Sequence, residues 1–258
     1  MAQRYVRVQT KTGATYYGIL QLDRSVALLD AAPWLDGQRL GDALLEADYT
    51  LLAPCTPSKI IAVGRNYAAH AAELGNTVPS EPLIFLKPPS AIIANDEEIT
   101  YPPQSQRVDY EGELALVIGQ VTKNCTLEQA ANQIWGYTIA NDVTARDLQN
   151  QDSQWTRAKG FDGFCPLGPW IVRNLSAEAR LQTFVNDDAL EQPCQSALIS
   201  DMVFSPPALV AYISQVMTLF PGDVILTGTP EGIGPLQIGD RVVVTIEGIG
   251  SLENTIAA

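Results

Sequence analysis

Three carboxylates in the sequence have the types and positions expected of a metal site. Glu111 and Glu113 are two residues apart at the start of an apolar run that predicts a β-strand, so they face the same side. Asp142 ends a second apolar run, GYTIAND, where a charge is costly to bury without a partner. An isolated E-x-E pair is more often a solvent-facing sheet edge. A third carboxylate with no Cys or His ligand nearby favours Mg²⁺ or Mn²⁺ and disfavours zinc.

A histidine and a glutamate form the second group with chemical potential. His70 is the only histidine in the chain, so it is the only imidazole that can act as a base near neutral pH. Glu73 follows three residues later in a short helical stretch, where side chains at this spacing face together. The pair can therefore form a dyad that activates water. A surface pair of small stabilising value is the ordinary alternative for this spacing.

Two loop segments carry groups that can stabilise an oxyanion. Lys159 precedes the glycine-bearing loop GFDGFCP, and its charge suits a developing oxyanion, although a solvated loop lysine is the ordinary alternative. Residues 227–230, TGTP, end a predicted strand and supply hydroxyl and backbone N–H groups. The sequence has no P-loop, G-x-G-x-x-G or G-x-S-x-G pattern, which disfavours nucleotide binding and serine-hydrolase chemistry.

The first part of the chain must form a small unit apart from these residues. Residues 4–29 alternate in short β-rich runs, and residues 38–48, QRLGDALLEAD, predict a brief helix. A turn-rich stretch follows at residues 54–58. We therefore predict a small N-terminal domain over residues 1–55 and a catalytic domain over residues 56–258.

The remainder is dominated by short strands, which must position the candidate residues. Two helices interrupt these strands. Thr126 and Gln129 have capping-box spacing ahead of one helix, and Ser205 followed by two prolines opens the other. The elements predict a β-rich α+β architecture without the regular βαβ alternation of a nucleotide-binding fold.

Composition limits the classes of protein and partner. The chain has 258 residues, 46% of them hydrophobic, and a net charge of −13, which fits a globular protein and disfavours nucleic acid as a partner. No apolar run approaches the length of a membrane span, and the charged first residues differ from a signal peptide. The four cysteines are widely separated, which favours reduced thiols in a cytoplasmic protein.

Taken together, the motifs resemble the fumarylacetoacetate hydrolase family, and within it the acylpyruvate hydrolase and oxaloacetate decarboxylase branch. The resemblance spans about residues 58 to 256, and its motifs are GRNY with His70 and Glu73, FLKP at 85–88, YEGEL at 110–114, NDVTARD at 141–147, WTRAK at 155–159 and LTGTP at 226–230. It implies a mixed β-barrel or β-roll catalytic domain, a buried metal, a mobile segment carrying the histidine, and a homodimer.

The resemblance also implies roles for individual residues. Glu111, Glu113 and Asp142 would bind Mg²⁺ or Mn²⁺, and His70 with Glu73 would activate water on a lid. Lys159 would stand beside the reacting carbonyl. The positions that match the substrate pocket of similar proteins are Arg65, Lys87, Gln149 and Thr229.

The function expected first is a divalent-metal-dependent hydrolase. It would cleave the C3–C4 bond of acylpyruvate-like 2,4-diketo acids through a metal-stabilised pyruvate enolate. Oxaloacetate decarboxylation and oxaloacetate keto–enol tautomerisation share that enolate and are the alternatives. Isomerisation or hydrolysis of sugar-derived or aromatic-catabolic diketo acids ranks lower, as does a non-catalytic metal-binding protein. The retention of the dyad, the lysine and all three carboxylates argues against this last reading.

Overall fold

The computed structural model describes residues 3–258, and this part of the chain contains twenty short strands and five short α-helices. The strands are β1 (Arg4–Thr10), β2 (Thr15–Leu20), β3 (Val26–Leu29), β4 (Arg39–Leu44), β5 (Tyr49–Leu52), β6 (Ile60–Gly64), β7 (Leu83–Lys87), β8 (Ile92–Ile93), β9 (Glu98–Thr100), β10 (Val108–Tyr110), β11 (Gly112–Ile118), β12 (Ile134–Asn141), β13 (Thr144–Ala145), β14 (Cys165–Val172), β15 (Arg180–Val185), β16 (Gln195–Leu198), β17 (Val224–Leu226), β18 (Gly234–Leu236), β19 (Arg241–Ile246) and β20 (Gly250–Ala257). The helices are α1 (Ala68–Glu73), α2 (Leu127–Ala130), α3 (Arg146–Gln151), α4 (Thr156–Lys159) and α5 (Pro206–Val216). The predicted β-rich α+β class is confirmed.

Three sheets organise these strands. Twelve strands form one curled, half-barrel sheet in the order β4-β3-β2-β1-β14-β12-β11-β17-β6-β7, with β5 beside β1 and β8 beside β14. A five-stranded sheet has the order β16-β15-β19-β20-β9, and a three-stranded sheet has the order β13-β10-β18. The central strands of the large sheet, β11 and β12, are therefore enclosed on both edges.

Strand β11 is buried along its whole length and serves two cores. Its residues Leu114, Leu116 and Ile118 pack in the core that also contains α5 and the inner side chains of the five-stranded sheet. The alternate residues Ala115 and Val117 pack in a second core on the other face. The strand period of two thus places alternate side chains of β11 on opposite faces of the sheet. Burial on both faces also explains why β11 reads as a nearly continuous apolar run.

The N-terminal strands extend the large sheet. β1 pairs antiparallel with β14 through Arg4↔Val172 and Tyr5↔Ile171, and β2 to β4 continue outward from it. These strands also have a small core of their own around Val6 and Val26. Residues 1 and 2, where the predicted N-terminal domain begins, lie outside the described residues. The domain boundary near residue 55 stays a prediction.

The brief helix predicted at residues 38–48 is wrong. The structure has strand β4 there, followed by a single 3-10 turn at Glu46–Asp48. Gly41 has a φ of +84°, which no helix residue adopts, and β4 pairs with β3 through Val26↔Leu44.

The other two helix starts agree with the sequence. The Thr126 capping box is present, and α5 begins directly after Ser205. Among the described helices, none has the length and apolar character needed to cross a membrane.

Candidate active site

The three predicted metal-binding carboxylates meet in one buried cluster. One oxygen each of Glu111, Glu113 and Asp142 lies within 4.8 Å of the others. The pairing of β11 with β12 brings them together, because Gly112 stands opposite Asn141 and the Asp142 amide donates to the Glu111 carbonyl at 2.8 Å. Adjacent strands therefore join residues that are about 30 positions apart in the sequence.

Buried cations hold two of these carboxylates. Lys159 Nζ, at the end of α4, donates to Glu111 Oε2 at 2.8 Å and to Asp142 Oδ2 at 2.5 Å. Lys87 Nζ, at the end of β7, donates to Asp142 Oδ1 at 2.5 Å, and Arg146 pairs with Glu111 Oε1. Burial raises the pKa of Glu111, but the positive charges of Lys159 and Arg146 outweigh it and hold that pKa below its ordinary value. Glu111 is therefore ionised in the folded protein.

Glu113 has a different environment. Its Oε2 accepts the Gly228 backbone N–H at 2.7 Å, and it has no ion-pair partner among residues 3–258. Burial, together with the negative charges of Asp142 and Glu111, raises its pKa well above the ordinary value. A cation placed among the three oxygens would relieve this repulsion. The all-carboxylate donor set fits a hard divalent cation such as Mg²⁺ or Mn²⁺.

The contact with Glu113 depends on a glycine. Gly228 has a φ of +97°, and a Cβ built on it would lie 2.7 Å from the Cβ of Asn66. Asn66 is fully buried, and its Nδ2 donates to the carbonyl oxygens of Thr227 and Phe204. Only glycine therefore allows this loop to bring an N–H group to the carboxylate.

His70 and Glu73 lie on α1 and line the same cavity as the carboxylate cluster. His70 is 5% exposed, and its Nδ1 lies 3.3 Å from Glu73 Oε2. The other carboxylate oxygen of Glu73 accepts the Gly232 backbone N–H at 3.0 Å, which ties α1 to the loop after β17. The dyad geometry thus exists in the folded chain, and Glu73 has a second role as an anchor for the helix.

A cavity of about 590 Å³ opens above the carboxylate cluster. Nine of the ten predicted site residues line it: Arg65, His70, Glu73, Glu111, Glu113, Asp142, Gln149, Lys159 and Thr229. Lys87 does not reach the cavity, because its side chain is buried behind Asp142. In the structure Lys87 holds a carboxylate in place, and its contact with substrate stays a prediction.

Three predicted pocket residues have identifiable local constraints. Thr229 Oγ1 donates to the Gly112 carbonyl at 2.8 Å, so the loop after β17 is fixed to β11. Gln149 Oε1 accepts Arg146 Nη1 at 2.5 Å. Arg65 has a φ of +60°, a conformation that costs energy for a residue other than glycine and that is concentrated at functional sites.

Sequence reasoning missed several residues of the site. Asp109 is fully buried and accepts bonds from both Arg107 and Arg146. The one available signal for Asp109 was its position two residues before Glu111, in the same alternation. Phe85 and Trp155 also line the cavity, with their rings edge to face at 5.2 Å, and their aromatic character alone did not distinguish them from core residues.

Comparisons with known proteins agree on one family. Residues 59–257 match the family described as Fumarylacetoacetate (FAA) hydrolase C-terminal, and residues 3–54 match the one described as Rv2993c-like, N-terminal. Over 201 residues the chain is 44% identical to the mitochondrial oxaloacetate tautomerase FAHD1 of Arabidopsis thaliana, covering 76% of this chain and 89% of that protein.

Solved structures give the same result. A 5-carboxymethyl-2-hydroxymuconate delta-isomerase from Mycobacterium smegmatis superposes with a TM-score of 0.90 at 45% identity, covering 98% of this chain and 99% of that one. A fumarylpyruvate hydrolase from Pseudomonas aeruginosa, in complex with Mn²⁺ and pyruvate, has a TM-score of 0.73 at 33% identity, covering 81% of this chain and 91% of that one. The resemblance in the motifs is therefore confirmed, and the chain belongs to the fumarylacetoacetate hydrolase family.

Proposed function

We propose that this member of the fumarylacetoacetate hydrolase family is a Mg²⁺- or Mn²⁺-dependent enzyme that moves protons at the carbon next to the ketone of a 2-oxo acid. The reaction we favour is the keto–enol tautomerisation of oxaloacetate. The observation that carries the proposal is a single cavity lined by both the His70–Glu73 dyad and the carboxylate cluster. An acid–base group and a site for a divalent cation can thus act on the same ligand.

Glu111, Glu113 and Asp142 are the residues that would hold the cation. When bound, it would act as a Lewis acid toward the oxygens of a 2-oxo acid and make the neighbouring C–H group more acidic. The paired lysines support this role, because they fix Asp142 through both of its oxygens. Ligand carboxylates that are oriented by outer contacts bind a metal better.

The dyad would carry the proton. In this proposal the ring proton of His70 is on Nδ1 and donates to Glu73, so that Nε2 keeps a lone pair for a ligand in the cavity. In tautomerisation this nitrogen would remove a proton from C3 while a proton is added at the keto oxygen. Lys159 would stabilise negative charge that develops on oxygen, since its ammonium group is held at the cavity wall.

Hydrolysis of acylpyruvate-like acids is the second candidate. The same histidine would then deliver water to the C4 carbonyl, after which the C3–C4 bond breaks and C3 takes up a proton. The similarity to a fumarylpyruvate hydrolase supports this reaction. We rank it second because the named tautomerase and isomerase relatives are 44% and 45% identical, whereas the hydrolase is 33% identical. Decarboxylation of oxaloacetate stays a third outcome.

A substrate panel tests the proposal. Purified protein is assayed with oxaloacetate, for tautomerisation and for CO₂ release, and with acylpyruvates, each with Mg²⁺, with Mn²⁺ and after chelation. Metal-dependent tautomerisation above the buffer rate is the expected result. Turnover that survives complete chelation, or none with any of these acids, would refute the proposal.

We also propose a homodimer, as the family resemblance implies, and light scattering of the purified protein would test it.

A further inference from the structure

Arg107 lies on the cavity wall, outside the residues that carry the proposed chemistry. Its guanidinium is fixed by Asp109, with Nε 2.9 Å from Oδ1 and Nη2 3.1 Å from Oδ2. Asp109 also accepts Nε of Arg146 at 2.9 Å, and Arg146 pairs with Glu111. A line of alternating charges therefore connects the carboxylate cluster to Arg107.

Exposure along this line increases away from the cluster. The side chain of Arg146 is 6% exposed, whereas that of Arg107 is 51% exposed. Within residues 3–258, Nη1 of Arg107 donates to no acceptor. The guanidinium is thus held in one orientation by a buried carboxylate while some of its N–H donors stay free. An oriented guanidinium with free donors is suited to a carboxylate ligand.

The charge balance of the cavity points to the same ligand class. Its cationic wall residues are Arg65, Arg107, Arg146 and Lys159, and its anionic ones are Glu73, Glu111, Glu113 and Asp142. Lys87 and Asp109, which form ion pairs with these wall residues from outside the cavity lining, also balance each other. A divalent cation at the carboxylate cluster would keep all four of these acids ionised and would add two positive charges to the balanced set. A ligand with two carboxylates would neutralise them, whereas a monocarboxylate would leave one uncompensated.

We propose that Arg107 binds the distal carboxylate of the substrate, so that the site selects dicarboxylic 2-oxo acids over monocarboxylic ones. This inference rests on the proposed function, because it requires the 2-oxo acid end of the ligand to lie at the carboxylate cluster. Asp109 then acts as a positioning residue that orients Arg107 and Arg146 together.

The test compares oxaloacetate with its C4 methyl ester, which lacks only the distal charge. Dissociation constants are measured by calorimetry with Mn²⁺ present, and the tautomerisation of both compounds is followed in parallel. Wild-type protein should bind the diacid about 10-fold more tightly or better, the order expected of a charge-assisted hydrogen bond. Arg107→Gln should bind the two compounds within about 3-fold of each other, through weaker binding of the diacid alone.

Arg157→Gln is the matched control. Arg157 is 50% exposed and is held by both oxygens of Asp152, but it lies outside the cavity wall. It should leave the preference for the diacid unchanged. Thermal unfolding of both variants checks that the fold is intact.

Several results would overturn the inference. A wild-type protein that binds and tautomerises both compounds equally would refute it without any variant. A preference that survives in Arg107→Gln would also refute it, and equal weakening of both compounds would reduce Arg107 to a support for Asp109. If wild-type protein with Mn²⁺ binds neither compound, the proposed function itself fails and the inference falls with it.

Discussion

Glu111→Gln and Glu113→Gln should change the stability of the metal-free protein differently, although the two substitutions are chemically identical. Both residues are buried and belong to the same carboxylate cluster. Glu111 is surrounded by cations, whereas Glu113 faces two carboxylates and one backbone N–H. The direction of each effect follows from these neighbours.

Glu111→Gln should lower the free energy of unfolding because two buried cations lose an ion-pair partner. Lys159 and Arg146 are buried, and each loses one of its two carboxylate partners. Removing one partner of a buried ion pair costs about 3 to 5 kcal/mol. Because Asp142 and Asp109 remain, we take the lower end, about 3 kcal/mol. In a chain of this size this lowers the Tm by about 6 °C or more.

Glu113→Gln should not lower the free energy of unfolding of the metal-free protein. The amide oxygen of glutamine can still accept the Gly228 N–H, and the substitution removes a carboxyl group whose ionisation Asp142 and Glu111 oppose. The free energy of unfolding should therefore stay equal or rise by about 1 kcal/mol. The two variants should differ in Tm by about 6 °C or more.

Thermal unfolding in the presence of a chelator measures this difference, and Glu178→Gln serves as an exposed control with no side-chain partner in residues 3–258. Titration with Mn²⁺ then measures how much metal binding stabilises each protein. Wild-type protein should gain about 2.7 kcal/mol of stability at 100-fold excess over the Kd, and neither cluster variant should gain it. Equal destabilisation of both variants in chelator would refute the charge assignment. Full metal stabilisation of either would refute its role as a ligand.

Four further predictions concern the same cavity. His70→Ala should lower acylpyruvate hydrolysis by about 10² to 10⁴ with bound metal unchanged, and should lower oxaloacetate decarboxylation less; equal losses would contradict water activation. Chelation should abolish turnover and Mg²⁺ or Mn²⁺ should restore it, as measured by the tautomerisation assay. Oxalate should increase the hydrogen-exchange protection of residues 66–75, the predicted mobile lid, and unchanged exchange at saturating oxalate would contradict this prediction. Gly228→Ala should lower the free energy of unfolding by about 1 to 3 kcal/mol, because its Cβ would clash with Asn66, and no change in Tm would contradict this reading.

The carboxylate cluster was predictable from the sequence because two simple rules act on it. The period of two places Glu111 and Glu113 on one side of the β11 segment, and an acid at the end of an apolar strand needs a partner. The pairing of β11 with β12 then brings Asp142 beside them. The family motifs supplied the remaining roles, which periodicity alone does not determine.

Other features could not be read from the sequence. The partners of Lys87 and Arg146 are 55 and 35 residues away in the chain, so no local spacing reveals that these cations hold carboxylates. No sequence neighbour marks Arg107 as a pocket residue, because the sequence does not show that its partner Asp109 is buried. The strand at Arg39–Leu44 was missed because its alternation is short and a pairing with β3 decides its conformation.

The same contacts bear on how metal and fold are coupled. In Asp142, Lys87 holds one oxygen and Lys159 the other, while Arg146 and Lys159 divide the oxygens of Glu111. Two of the three carboxylates that we propose as metal ligands are thus positioned and neutralised by cations of the chain itself. In a domain whose ligands repel one another without the ion, metal binding is folding free energy and chelation unfolds the chain. Here Glu113 alone of the three has no cation beside it among residues 3–258, so we expect the cluster to keep its shape without metal. Removal of the proposed ion should therefore abolish the proposed activity and leave the fold intact.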